Sequence, residues 1–340
     1  MKNIMITGGC GFIGSNLIKW LMGKYSEYNI FNVDKLTYCA NTDNVKEICQ
    51  LENYKFFQLD IGSEEIGEIF KEYHIDTVIN LAASTHVDRS IRHPKEFLET
   101  DVMGVFNLAL TIMKSRVTKF VHISTDEVYG SMAQSNYEAS EVTPLCPTSP
   151  YAASKAAGDL LLLSYYKTYN LPVTIVRPCN NYGPNQYPEK LVPMSITRLL
   201  NNKKVLLHGD GAEKREWLYV KDCCKAIDCI LHNGKEGSIY NVGSGLRLSN
   251  YQIVTAIIDR VFHDNKVEEH IERIENRPGN DKLYAINSNR MKKLFGGTYA
   301  DTPFDFGLMT TVRWYENNPA FWSNVDLDAN IYVSNDQYLR

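Results

Sequence analysis

The sequence predicts an α/β fold: a Rossmann-type doubly wound parallel sheet, with a smaller mixed α/β substrate-binding domain on its C-terminal side. Three observations carry that expectation. Short β-rich runs alternate with amphipathic helical stretches through the first half of the chain, an order that produces parallel strands covered by helices on both faces. A glycine-rich turn, Thr7-Gly8-Gly9-Cys10-Gly11-Phe12-Ile13-Gly14, follows the first run and opens a helix. After Pro178 the alternation gives way to Asn180-Asn181-Tyr182-Gly183-Pro184-Asn185, a turn-rich composition that marks the start of a second unit.

Taken in order, strands are expected at residues 2–7, 29–34, 55–60, 77–82, 119–124 and 172–177, where apolar and β-branched residues cluster in short runs. Helices are expected at 12–24, 63–73, 94–114 and 154–169, with another near 193–201. In such sheets ligands bind beyond the carboxyl ends of the strands, where Gly8, Asp34, Asp60, Ala83 and Thr125 fall. This divides the chain into a nucleotide-binding domain at 1–178, with a return segment near 216–240, and a substrate domain at 179–322. The tail at 323–340 is polar, acidic and aromatic in patches, and its pattern assigns it no element.

The chain has 340 residues, 44% hydrophobic and 22% charged, with a net charge of −4. Those values fit a globular enzyme, and the absence of a lysine/arginine block argues against nucleic acid or an anionic membrane surface as partner. No apolar run approaches a membrane span, and the N-terminal run is too short for a secretion signal. Eight cysteines without a C-x-x-C pair read as reduced thiols in a cytoplasmic protein. His74, His86 and His93 lack metal-ligand spacing, so no metal is expected. Cys223, Cys224 and Cys229 share an amphipathic stretch with Ala226, Ile227, Ile230 and Leu231, which suits core packing.

The glycine turn is a phosphate cradle in this context. Gly8, Gly11 and Gly14 let the backbone turn tightly and approach a pyrophosphate seated on the helix N-terminus. Asp34 ends the second strand, twenty residues beyond Gly14, where a carboxylate accepts hydrogen bonds from an adenosine ribose and repels a 2′-phosphate. NAD is therefore expected over NADP.

Tyr151 and Lys155 stand four apart on one helix face. A free phenol titrates near ~10 and is too weak a base at neutral pH; lowering it by about 3 units takes about 4 kcal/mol of differential stabilisation. A neighbouring ammonium and a positive nicotinamide ring both act in that direction. Just past the fifth strand, Ser124-Thr125-Asp126-Glu127-Val128-Tyr129-Gly130 brings two carboxylates side by side. Neighbouring residues in a strand point to opposite faces, so Asp126 and Glu127 face one substrate only if the strand ends at Ser124 and the pair lies in a loop. Otherwise Asp126 caps a short helix and Glu127 is solvated.

The glycine motif, Ser124-Thr125 and Tyr151-x-x-x-Lys155 resemble the extended short-chain dehydrogenase/reductase superfamily. Longer blocks are similar to nucleotide-sugar 4,6-dehydratases of the dTDP-glucose type. They are Asn32–Tyr38, Ala82–Ile91, Ser124–Gly130, Arg177–Pro184, Pro188–Leu191, Arg215–Val220 and Asn276–Asp281, and the likeness runs from residue 1 to about 315. The resemblance implies a hydro-lyase in deoxysugar biosynthesis that recycles bound NAD within each turnover. Tyr151, oriented by Lys155, takes the 4-hydroxyl proton, and Thr125 bonds the same oxygen. Glu127 then removes the C5 proton while Asp126 protonates the leaving C6 hydroxyl.

The resemblance also assigns contacts. Toward the cofactor it implies Gly8, Gly11, Phe12, Ile13 and Gly14 in the turn, Asp34, Lys35, Leu36 and Thr37 after the second strand, and Asp60 and Ile61 after the third. Leu81, Ala82, Ala83, Thr100, Ser124, Tyr151, Lys155 and Asn181 complete that set. Toward a nucleotide-sugar substrate it implies Thr85, His86, Thr125, Asn180, Lys190, Leu191, Arg215, Asn250, Arg277 and Asn280. Asn280 stands where the Arg-Pro-Gly-His-Asp block usually has histidine, and Ser84-Thr85 where Glu-Ser is common; both bear on the choice between dTDP-glucose and UDP-glucose. A homodimer paired through helices near 94–114 and 154–169 is implied too. The rival readings on this scaffold are a nucleotide-sugar 4-epimerase, which needs no carboxylate pair, and a UDP-glucuronate decarboxylase, which resembles Thr-Ser-Glu there. A non-catalytic NAD-binding regulator would need none of Tyr151, Lys155, Asp126 and Glu127.

Overall fold

The computed structural model describes residues 2–133, 138–263, 266–276 and 279–327. The first half alternates as its sequence pattern requires: β1 (Asn3–Thr7), α1 (Phe12–Lys24), β2 (Asn29–Asp34), β3 (Tyr54–Gln58), α2 (Ile66–Glu72) and β4 (Thr77–Asn80). Then come α3 (Val87–Arg92), α4 (Pro94–Leu98), a π turn (Glu99–Gly104), α5 (Val105–Met113), β5 (Lys119–Ile123), α6 (Pro150–Tyr169) and β6 (Val173–Pro178). The second half contains β7 (Asn180–Tyr182), α7 (Leu191–Leu200), β8 (Val205–His208), β9 (Lys214–Tyr219), α8 (Val220–Asn233) and β10 (Ile239–Val242). It closes with β11 (Arg247–Ser249), α9 (Asn250–Phe262), β12 (Ile271–Ile274), α10 (Asn289–Phe295) and α11 (Phe304–Asn317).

Seven strands form one sheet in the order β10-β6-β5-β4-β1-β2-β3, and every pairing in it is parallel. Successive strand residues face opposite sides. Ile4 and Ile6 therefore pack into one hydrophobic layer while Met5 enters the other. The chain order reverses between β1 and β4, leaving a crevice at the carboxyl ends of those strands. Beyond Pro178, β9 pairs with β7 and β11 in a three-stranded sheet, and β8 pairs with β12. α8 and β10 return to the large sheet, α8 packing on α1 and β10 pairing with β6. Among the described residues no helix is long and apolar enough to cross a membrane. All eight cysteines are free, and Cys223 and Cys224 are buried in the core.

Three departures from the sequence expectation shape the site. Strand β5 stops at Ile123, one residue early, and Asp126–Tyr129 forms a 3₁₀ turn after it. The helix expected at 154–169 begins at Pro150, with the Ser149 side chain accepting the Ala152 N–H as its N-cap. Tyr151 thus sits in its first turn. The single helix expected over 94–114 is three pieces, because the π turn points Asp101 inward. There Ser154 Oγ donates to Asp101 Oδ2 at 2.8 Å and Ser84 N–H to Oδ1 at 3.3 Å.

Candidate active site

A cleft of about 420 Å³ opens at the carboxyl ends of β1, β2, β4 and β5 and continues under β7, β8 and β9. Its wall at the switch point is bare backbone. Gly8 has φ +68°, and a side-chain carbon there would stand 2.7 Å from Ala82 N; one at Gly14 would stand 2.2 Å from Gly8 O. Phe12, Ile13 and Gly11 complete this wall. Asp34 Oδ2 accepts the Cys10 N–H at 2.9 Å and Oδ1 the Leu36 N–H at 2.8 Å. The carboxylate is thus held at the mouth by the glycine loop itself. Asp60 bridges to Lys35 at 2.6 Å beside it. Burial pushes the Asp60 carboxyl up, but the Lys35 hydrogen bond, the Gly62 N–H and the Lys35 charge outweigh it and leave it low. A side-chain-free cradle, a helix N-terminus and a fixed carboxylate fit a dinucleotide.

Thr125 joins β5 to the carboxylate turn. Its hydroxyl accepts the Glu127 N–H at 3.3 Å, so Thr125, and not Asp126, is the cap of the short helix. Because the strand has already ended, Asp126 and Glu127 both line the cleft, together with Thr125 and Tyr151. Asp126 is 2% exposed, and its Oδ2 finds no hydrogen-bond partner among the described residues. Burial raises its carboxyl well above the ordinary carboxylate range, and the charges of Glu127 and Glu216 push the same way against Arg215. Burial therefore favours the protonated form of Asp126, and its buried Oδ2 is left without a partner beside the cleft.

Tyr151 is buried beside Thr125. Its phenol is raised well above 10: burial dominates, Glu127 and Asp101 add to it, and the hydrogen bond from Thr125 only partly opposes it. Lys155 lies four residues on, but its Nζ donates to Ile123 O at 2.7 Å. It anchors the end of β5 below the tyrosine. Burial also lifts the Asp101 carboxyl to about 6, opposed by Lys155, Ser154 and the Ser84 N–H.

On the far wall, Arg215 is buried and donates from Nη2 to Asn280 Oδ1 at 3.1 Å. Its guanidinium lies 4.5 Å above the Tyr284 ring. Asn280 donates in turn to Asn276 Oδ1 at 2.7 Å. Lys190 Nζ donates to Thr85 O across the mouth, and His86 caps α3 by accepting the Arg89 N–H. Asn180, Asn181, Leu191, Asn250 and Thr100 line the same space, as do Thr37, Ile61, Leu81, Ala82, Ala83 and Ser124.

Two residues singled out from the sequence stand apart. Leu36 does not line the cleft: at φ +57° its side chain turns into the core while its N–H holds Asp34. Arg277 lies outside the described residues. Conversely, Tyr187, Glu189, His208, Trp217, Tyr284 and the tail residues Val325–Leu327 line the cleft without having been anticipated. Glu189 accepts the Tyr38 hydroxyl at 2.8 Å. Both residues lie in sequence blocks that carried the resemblance, the one signal that could have pointed to them.

Residues 5–300 match the GDP-mannose 4,6 dehydratase family. The chain belongs to that family. Within it, the chain is similar to human dTDP-D-glucose 4,6-dehydratase, 39% identical over 96% of this chain and 93% of the relative. A structure of Bacillus anthracis dTDP-glucose 4,6-dehydratase in complex with NAD is 42% identical, with TM-score 0.87 over 95% of this chain and 99% of the other. The Streptomyces venezuelae dTDP-glucose 4,6-dehydratase with NAD and TYD bound is 37% identical, with TM-score 0.89 over 94% and 98%.

The protonation of Asp126 has a consequence for stability. An unfolded aspartate titrates near ~3.9, and the folded carboxyl titrates well above that. The folded state therefore binds the extra proton, and stability falls as pH rises from the unfolded value toward the folded one. Asp126→Asn removes this cost. It is expected to unfold at higher urea than wild type at pH 7–8, with the difference closing as pH approaches ~4. Equal or lower midpoints for the variant across that range would show that Asp126 is not held neutral.

Proposed function

We propose that the chain is an NAD-dependent nucleotide-sugar 4,6-dehydratase acting on dTDP-glucose, with UDP-glucose the second substrate to test. The observation that carries this reading is Asp126. It is a buried carboxyl with an unpartnered oxygen, raised above the ordinary carboxylate range, beside Glu127 on the cleft wall that also holds Tyr151. An epimerase or a non-catalytic binding protein has no use for two carboxyl groups at that point.

Bound NAD⁺ supplies a hydride acceptor for sugar C4, a later donor for C6, and a positive ring charge that offsets the burial of Tyr151. The chain's residues move the protons. Tyr151 takes the 4-hydroxyl proton, and Thr125 turns its single O–H from the phenol to the same sugar oxygen. Lys155 holds the floor of this pair through Ile123 O. Once C4 is a ketone, the C5 proton is acidic enough for Glu127 to remove. Asp126 gives its proton to the C6 hydroxyl, and water leaves. Glu127 returns a proton to C5, giving a 4-keto-6-deoxy sugar. Arg215, stacked on Tyr284 and tied to Asn280, presents N–H groups suited to the nucleotide diphosphate. Asn280, where the family usually has histidine, puts a non-titrating amide at that contact.

We also propose a homodimer. The mutually packed α4, π turn and α6 expose Leu98, Met103 and Leu160 at 53%, 58% and 57%, an apolar surface that a partner copy would cover. Sedimentation should give twice the chain mass for wild type and a monomer for Leu160→Glu; a monomeric wild type refutes the dimer.

Incubation with dTDP-glucose or UDP-glucose should yield a product lighter by one water, with no net loss of NAD⁺ and with deuterium at C5 in D₂O. Unchanged mass with inversion at C4 would identify an epimerase instead. For the pair Asp126→Asn with Glu127→Gln, C4 oxidation should persist while water loss falls by about 10²–10⁴-fold. Normal dehydration by that double variant would overturn the assigned roles.

A further inference from the structure

Beneath the acid–base turn lies an ion pair that none of the proton transfers uses. Arg177 is the penultimate residue of β6 and Asp159 lies in the middle of α6, 1% and 0% exposed respectively. Arg177 Nε donates to Asp159 Oδ2 at 2.8 Å. The remaining bonds of the pair run to the two ends of one short segment. Ser124 Oγ donates to the same Asp159 oxygen at 2.9 Å, immediately before Thr125. Arg177 Nη1 donates to Tyr129 Oη at 2.8 Å, at the last residue of the turn. The Tyr129 hydroxyl passes its own proton to Asn241 Oδ1 at 2.8 Å, which ties the turn to β10.

Asp126 and Glu127 are thus carried on a single 3₁₀ turn pinned on both sides to one buried charge pair. A buried pair is not needed for stability, since well-packed apolar residues serve as well or better. What apolar packing cannot supply is direction, and here the directional bonds go to the residues flanking the two carboxylates.

We propose that Arg177 and Asp159 are positioning residues for the elimination step, holding Asp126 and Glu127 in register with Tyr151. This rests on the dehydratase reading. Elimination needs two carboxyl groups aimed at adjacent carbons, and a misplacement near 1 Å costs about 10²-fold. C4 oxidation depends on Tyr151 and Lys155, which stand on α6, and on Thr125, which follows the Ser124–Asp159 bond that Tyr129→Phe leaves in place. Loss of the Tyr129 pin should therefore separate the two steps.

The test uses Tyr129→Phe, which keeps the ring and removes only the hydroxyl, in single turnovers with dTDP-glucose. Nicotinamide reduction should stay within about 2-fold of wild type, while water loss and C5 deuterium exchange slow by about 10–100-fold. Reduced nicotinamide should accumulate, and the amides of 125–130 should exchange faster with solvent. Arg177→Lys keeps a charge for Asp159 but lacks the second guanidinium nitrogen that reaches Tyr129, and should show the same split. Wild type that dehydrates, alongside a Tyr129→Phe enzyme that slows both steps equally or neither, overturns the clamp alone. Wild type that removes no water overturns both the clamp and the dehydratase reading.

Discussion

The cleft floor is organised by charge buried away from water. Asp101, Lys155, Asp159 and Arg177 are each no more than 2% exposed, and each is answered by short bonds from a different element. Lys155 on α6 reaches β5, Asp101 in the π turn reaches α6, and Arg177 on β6 reaches both α6 and the 3₁₀ turn. Leaving one member of such a set unpaired typically costs about 3–5 kcal/mol. The strand end, α6 and the π turn are therefore compatible with very few relative placements. The position of the site is a consequence of satisfying these charges.

The same dryness sets the chemistry. Burial moves Asp126 and Tyr151 in the same direction, toward the neutral form. For the aspartate this suits the proton-donor role proposed above. For the tyrosine it is a resting state, since a neutral phenol cannot accept the sugar's proton. A positive ring brought next to it restores that ability. The protein alone thus readies the later step of the proposed sequence and leaves the first dependent on its cofactor.

Much of the site was legible because its signals are local. The Gly8–Gly14 turn, Asp34 at the end of its strand and the Tyr151/Lys155 pair all line one cleft. Ser149-Pro150, an N-cap followed by a proline at the first helical position, is a local signal for the start of α6. Other features have no local mark. The backbone at Leu36 turns its side chain away from the cleft although its neighbours Lys35 and Thr37 line it. The π turn arises where Asp101 meets Ser84 and Ser154, 17 and 53 residues away in the chain.

The alternation of strands and helices, the glycine turn and the adjacency of Asp126 and Glu127 were determined by the sequence alone, because periodicity, backbone freedom at glycine and covalent neighbourhood are properties of a few consecutive residues. Protonation was decided only by the tertiary structure. Whether Asp126 is an acid, whether Tyr151 is neutral, and which groups Lys155 and Arg177 hold depend on desolvation and on charges such as Glu216, ninety residues from Asp126. Those influences exist only once the chain has closed over them.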